Sequence, residues 1–328
     1  MTTPNVKEQI VEGPLQNISN LFRNKDYIAD RVFPILDGSD PKAKITTYQK
    51  GAWFRDEAGI RAAGTEAKRG GYNLEYASVA TKEYAFAKEV TDEDRRFAKS
   101  KYAPPIQPDQ DAIEFASDKI DLKKEIRVAA LITAGTWNDG NVAGEDAEGL
   151  WAPPGATNTF LTDIVTAKKA IQSKTGMDAN CLVLDFATYL ALKECDAIVE
   201  KIKYTQSAVF GSALLASMLE LDEVIVGKAI KNTDEETSSG SAMTAARIWE
   251  INAGKGMGFL FYRTPRLGLK TATAGIQVRI AYENGSARRV STWREASRHQ
   301  DVYEVAEETD IVQVHADLGY LFKDTYAT

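Results

Sequence analysis

Two histidines, His299 and His315, and two cysteines, Cys181 and Cys195, are the side chains of this sequence best suited to proton transfer, nucleophilic attack or soft-metal binding. Neither histidine sits in an HxxxH or HExxH pattern that would bring two imidazoles to one metal. His315 lies in an alternating stretch and reads as a half-exposed sheet residue, while His299 follows Arg298 in a polar turn. The cysteines are fourteen positions apart with no CxxC. Cys181 opens an apolar run and reads as a core thiol, and Cys195 ends a helix.

Other fragments look chemical and fail on context. In Gly254-Lys255-Gly256-Met257-Gly258 the lysine lacks a following Ser or Thr, and the segment leads into a strand rather than a helix. A phosphate loop needs both features, so a tight turn is expected. Lys174-Thr175-Gly176 matches part of a penicillin-binding signature, but no Ser-x-x-Lys accompanies it, and it reads as a helix end. Glu304, Glu307, Glu308 and Asp310 read as solvated faces and turns. No catalytic, cofactor-binding or metal-binding residue is assigned, and the chain is read as a non-enzyme.

The elements that would have to position a site point elsewhere. With 328 residues, 44% of them hydrophobic and 27% charged, the chain has enough apolar content for a sizeable core. The net charge of −7 argues against a duplex-binding face. No apolar run reaches the length of a membrane span, and the polar N-terminus lacks a signal core, so a cytosolic origin with reduced thiols is expected. Residues 1–21 read as a polar arm. Residues 46–79 read as a long hairpin with Trp53, Phe54, Arg55 and Arg61 on the way out and a tip rich in glycine and charge around Lys68, Arg69, Gly70 and Gly71. Such a ribbon has little of its own to bury and needs another surface.

Thr91 followed by Asp92, Glu93 and Asp94 predicts a capped short helix. Asp111 and Glu114 suggest a capping box for a long helix over 111–133, with Phe115, Leu122, Ile126 and Ala129 on one face. Helices are expected over 162–174, 186–194, 197–203 and 212–220. Strands are expected over 181–184, 223–226, 246–251, 257–262, 276–282, 289–293, 302–306, 311–315 and 320–322. The class is α+β.

This order of parts resembles the Hong Kong 97-like capsid fold of tailed-bacteriophage major capsid proteins. The local text agrees along nearly the whole chain: YIADRVFP at 27–34, the loop running from FR at 54–55 to RGGY at 69–72, DLKKEI at 121–126 with TAGTW at 133–137, DAIVEKIKY at 196–204, and the run from DVY at 301–303 to GYL at 319–321. The resemblance implies an N-terminal arm (1–21), an extended loop (46–79), a peripheral domain (22–45, 80–137 and 270–328) with a long spine helix, and an axial domain (138–269). It implies that the loop lies over a neighbouring subunit, so Trp53, Phe54, Arg55, Arg61, Lys68 and Arg69 are expected to make inter-subunit contacts.

The function implied is a major capsid protein that self-assembles, as pentamers and hexamers, into the icosahedral head shell of a tailed phage. The shell would enclose double-stranded DNA without sequence-specific binding. The implied partners are a portal protein, a separate scaffolding protein (the arm being too short to serve as one) and a decoration protein, with no membrane. The implied location is the virion, assembled in the host bacterial cytoplasm. An encapsulin-type compartment shares the fold and is the first alternative. A soluble enzyme with an unrecognised site is the second, and would run as a 36 kDa monomer.

Overall fold

The computed structural model describes residues 23–38, 40–100, 106–138, 144–151, 158–202, 211–234, 243–251, 254–282 and 285–326. The expected N-terminal arm, residues 1–21, lies outside them. In chain order the helices are α1 (Ala29–Val32), α2 (Lys50–Trp53), α3 (Asp92–Ala98), α4 (Pro108–Ala134), α5 (Phe160–Thr175), α6 (Phe186–Lys193), α7 (Asp196–Ile202) and α8 (Ser212–Met218). The strands are β1 (Ile35–Gly38), β2 (Lys42–Tyr48), β3 (Leu74–Ala80), β4 (Lys82–Thr91), β5 (Glu145–Asp146), β6 (Cys181–Asp185), β7 (Glu223–Gly227), β8 (Ile230–Asn232), β9 (Ala245–Arg247), β10 (Met257–Phe261), β11 (Gly275–Ile280), β12 (Arg289–Glu295), β13 (Gln300–Gln313) and β14 (Gly319–Lys323). The mixture is the α+β class expected.

The first sheet is built on β13. β4 runs along one side of it, β12 and then β11 along the other, and β1 joins β11 in parallel. Two strands were expected here, 302–306 and 311–315, with a polar break between them. One continuous strand forms because the polar residues are satisfied from far away in sequence. Glu307 is buried between Lys124 (2.6 Å) and Arg288 (2.9 Å), and Arg127 donates to the Thr309 hydroxyl (2.8 Å) and carbonyl (3.1 Å).

The second sheet has the order β5-β14-β10-β6-β7. β6 and β10 are buried at every residue, which is why they read as unbroken apolar runs rather than alternating ones. The last described strand, β14, pairs with β10 and so belongs to this sheet. Phe33 contacts Phe259 and Phe261 edge-on at 6.5 and 5.9 Å, and Trp137 lies 4.7 Å from Phe259, so the main core gathers the second sheet, α1 and the C-terminal half of α4, while the first sheet keeps smaller clusters around Val278 and Val305.

α3 carries the predicted cap. Thr91 accepts from the Asp94 amide, and the Asp94 carboxylate accepts in return from the Thr91 amide. α4 differs from expectation. It starts at Pro108, where a fixed φ favours the first turn, rather than at an Asp111 capping box. Its first buried ridge is Ala112, Ala116, Ile120, Lys124 and Val128, against the first sheet; a second ridge of Glu125, Ala129 and Ile132 joins it in the C-terminal half. Phe115 is exposed beside Phe86, and Leu122 and Ile126 are only half-buried. The predicted single apolar face therefore missed a helix wedged between two layers. Glu125 makes the wedge: its carboxylate accepts from the amides of Ile28 (3.0 Å) and Ala29 (2.7 Å) at the start of α1 and from the Trp249 indole (2.6 Å). Trp249 and Ile248 are buried after β9, which ends at Arg247 and not at Ile251 as predicted.

Candidate inter-subunit interface

β2 and β3 pair antiparallel from Lys42↔Ala80 to Tyr48↔Leu74. Opposed residues share a face, so the ribbon has two chemically distinct sides. Ile45 and Val79 face the body and pack with Ile276, Val278 and Val312. The other side carries Tyr48, Leu74 (40% exposed) and Tyr76 (58% exposed), with Lys44 over the Tyr76 ring. No residue from 46 to 78 is buried. A two-stranded ribbon with one apolar side in water is marginal by itself.

The six residues predicted to contact a neighbour divide into two groups. Trp53 ends the one-turn α2, a helix the sequence reading did not foresee. Its ring meets Tyr48 (6.1 Å) and Tyr72 (5.7 Å), and the Lys270 ammonium sits 5.6 and 5.7 Å from the Tyr48 and Trp53 centroids. It nevertheless stays 57% exposed, and Phe54 stays 66% exposed beside Gly176. These two rings are thus partly folded onto their own subunit. Arg55 pairs with Glu57 at 3.0 Å. Further out, Arg69 reaches Glu66 at 3.5 Å with both side chains almost fully in water, an arrangement worth little. Among the described residues, Arg61 and Lys68 have no ion-pair or hydrogen-bond partner. Tyr48, Tyr72, Leu74 and Tyr76 were not singled out from the sequence, although the alternation of large residues at 72, 74 and 76 marks the outward side.

The base of the loop is pinned to the body. The Lys50 ammonium pairs with Asp317, which also lies 4.0 Å from Lys174. A cleft of about 510 Å³ lies here, lined by Tyr48, Lys50, Tyr72, Glu75, His315 and Asp317 among others. Burial pushes the His315 imidazole pKa down, so it is neutral at pH 7. Replacing Asp317→Asn should free Lys50 and raise amide exchange over residues 50–56 up to about fivefold, the range a surface ion pair supports. Unchanged exchange by mass spectrometry would show that the pair does not hold the loop base.

The remaining chemical candidates have structural roles. Burial pushes the Cys181 thiol up to about 11, leaving it protonated and unreactive at neutral pH. Gly256 lies where a Cβ would come within 2.0 Å of the Thr188 hydroxyl, so the glycine lets this turn approach α6. Gly176 takes φ 68° and ends α5. Among the described residues no group of three or more His, Cys, Asp or Glu is placed to hold a metal, and no helix is long and apolar enough to cross a membrane.

No protein-family model matches the chain. It is 25% identical over 235 residues to the major capsid protein of Burkholderia phage BcepMu, covering 70% of this chain and 73% of that one. Its structure is similar to that of a phage-related protein from Bordetella bronchiseptica, with a TM-score of 0.67, 21% identity and 94% of each chain covered. It is also similar to the capsid structure of cyanophage P-SCSP1u, with a TM-score of 0.62, 12% identity, and 98% and 95% covered. The chain thus has, over nearly its full length, the Hong Kong 97-like fold of phage capsid proteins, and its sequence is similar to that of a phage major capsid protein.

Proposed function

We propose that this chain builds the icosahedral head shell of a tailed phage from pentamers and hexamers, with its extended loop lying on the neighbouring subunit. The observation that carries this reading is the ribbon and loop of residues 46–78, in which no residue is buried and Trp53, Phe54, Tyr72, Leu74 and Tyr76 are exposed. Large apolar side chains in one exposed patch mark a protein contact. The shell encloses double-stranded DNA without reading its sequence, in keeping with the net charge of −7. A portal protein, a separate scaffolding protein and a decoration protein complete the particle, which is assembled in the host cytoplasm and ends as the virion.

Size-exclusion chromatography and negative-stain microscopy of the expressed chain over a range of concentrations test this. Capsomers, sheets or shells are expected. A 36 kDa monomer at every concentration would remove the reading. Shells that carry a protein cargo and exclude DNA would move it to a compartment of the encapsulin type.

A further inference from the structure

Two short passages join the sheets. Residues 262–274 lead from β10 in the second sheet to β11 in the first, and residues 314–318 lead from β13 in the first back to β14 in the second. The passages are bonded to each other along a seam. The amides of Val314 (2.9 Å) and His315 (3.2 Å) donate to the Ala274 carbonyl, and the Tyr262 amide donates to the Leu318 carbonyl (2.9 Å). A seam built this way moves with both sheets.

Each passage also reaches the base of the loop with one charged side chain. Asp317, in the one-turn 3-10 helix Ala316–Leu318, pairs with Lys50 at the start of α2. Lys270, from the other passage, holds its ammonium 5.6 Å from the Tyr48 ring and 5.7 Å from the Trp53 ring. Tyr72 completes that aromatic cluster, 5.6 Å from Tyr48 and 5.7 Å from Trp53. The ammonium therefore meets the outgoing leg of the loop, α2 and the returning leg together. The turn that carries it is fixed by its own bonds. Leu267 packs against Ile276 and Val278, the Gly268 amide donates to the Thr271 hydroxyl (3.0 Å), and that hydroxyl donates back to the Gly268 carbonyl (2.9 Å). Lys270 takes φ 62°, a left-handed conformation that is costly for a side-chain-bearing residue and free for glycine. Leu269 beside it is 98% exposed. The tip of the turn thus buries nothing and keeps a strained lysine, whose ring contacts are with the loop.

We infer that Lys270 and Asp317 are positioning residues for the extended loop, one latch from each passage, so that the loop leaves the subunit in a direction set by the angle between the two sheets. Anchored through Ile45 and Val79 alone, the ribbon would follow the first sheet. The latches tie its outer end to the seam as well, so a turn of one sheet against the other carries the loop base with it. An exposed cation over rings and an exposed ion pair are each weak, which lets the loop be re-aimed without unfolding the subunit. What the loop then does in a shell rests on the proposed function; the latching does not.

Amide exchange in the unassembled subunit tests the latches, read by mass spectrometry over residues 46–56. There the Gln49 amide closes on the Asn73 carbonyl and the Phe54 amide on the Lys50 carbonyl. Lys270→Gly removes the ammonium and relieves the backbone. It should speed exchange here about two- to fivefold while the melting curve stays in place or rises. Lys270→Arg keeps a cation over the rings and should exchange like the parent. Lys270→Gly combined with Asp317→Asn should reach about tenfold or more, the product of two independent latches. In assembly, the double variant should give particles of mixed diameter where the parent and Lys270→Arg give one size. Unchanged exchange in Lys270→Gly, or an equal rise in β6 and β10, would overturn the latch. Faster exchange with uniform particles from the double variant would overturn the aiming of the loop. Exchange that changes as expected in a chain that forms no particles at all would support the latches and remove the proposed function instead.

Discussion

Deleting residues 59–71 is expected to leave a folded subunit that forms no shells. The excised stretch contains no buried residue, and the only ion pair within it is Arg69 with Glu66, both in water. Changes confined to such positions usually stay within about 0.5 kcal/mol. For a chain of this size that is a shift of about 2 °C or less in melting temperature. Under the proposed function every copy of the shell both gives a loop and receives one, so loss between subunits is multiplied. Circular dichroism melts of the deletion variant should overlay the parent, and micrographs should show no closed particles. Normal particles would show that the tip has no part in assembly.

The second large effect is expected inside the subunit, at Glu125→Ala. Glu125 is completely buried, and three N–H groups from two other regions point at its carboxylate. Truncation leaves the Ile28 and Ala29 amides and the Trp249 indole without their acceptor in a dry setting. A loss of about 3–5 kcal/mol follows, or about 4–7 °C in the melting temperature of the unassembled subunit. The pH dependence has a definite sign. Burial raises the Glu125 carboxyl pKa above its ordinary value, against the opposing pull of the three donors. The folded state is therefore most favoured, as far as this group is concerned, below the unfolded pKa, and loses stability as pH rises through the raised one. Glu125→Gln, neutral at every pH, should flatten that part of the stability profile. A Glu125→Ala subunit melting within 2 °C of the parent would show that the three donors find other partners.

Local signals carried most elements. Thr91 with three following acids gave α3, the apolar runs gave β6 and β10, and Gly176 gave the end of α5. The failures share one cause, which is that polar side chains were satisfied by partners distant in sequence. Glu307 and Thr309 looked like a break in β13 because nothing nearby announces Lys124, Arg288 and Arg127. Lys124 and Glu125 are buried on α4 although charged, so its buried side is not the apolar face predicted through Phe115 and Leu122. At the candidate interface, the underfurnished hairpin that carries Arg61 and Lys68 was legible because it is a local fact. The contacts of Lys270 and Asp317 with the loop base were not, because both residues lie far from the loop in sequence and meet it only through the fold.

The place of β14 has a consequence for synthesis. It lies second in the second sheet, between β5 and β10, and it is made after every other strand of that sheet. Until residues 319–323 have left the ribosome, β10 has an open edge. The sheet is therefore closed by a long-range contact that forms late, which slows folding and leaves apolar edges exposed meanwhile.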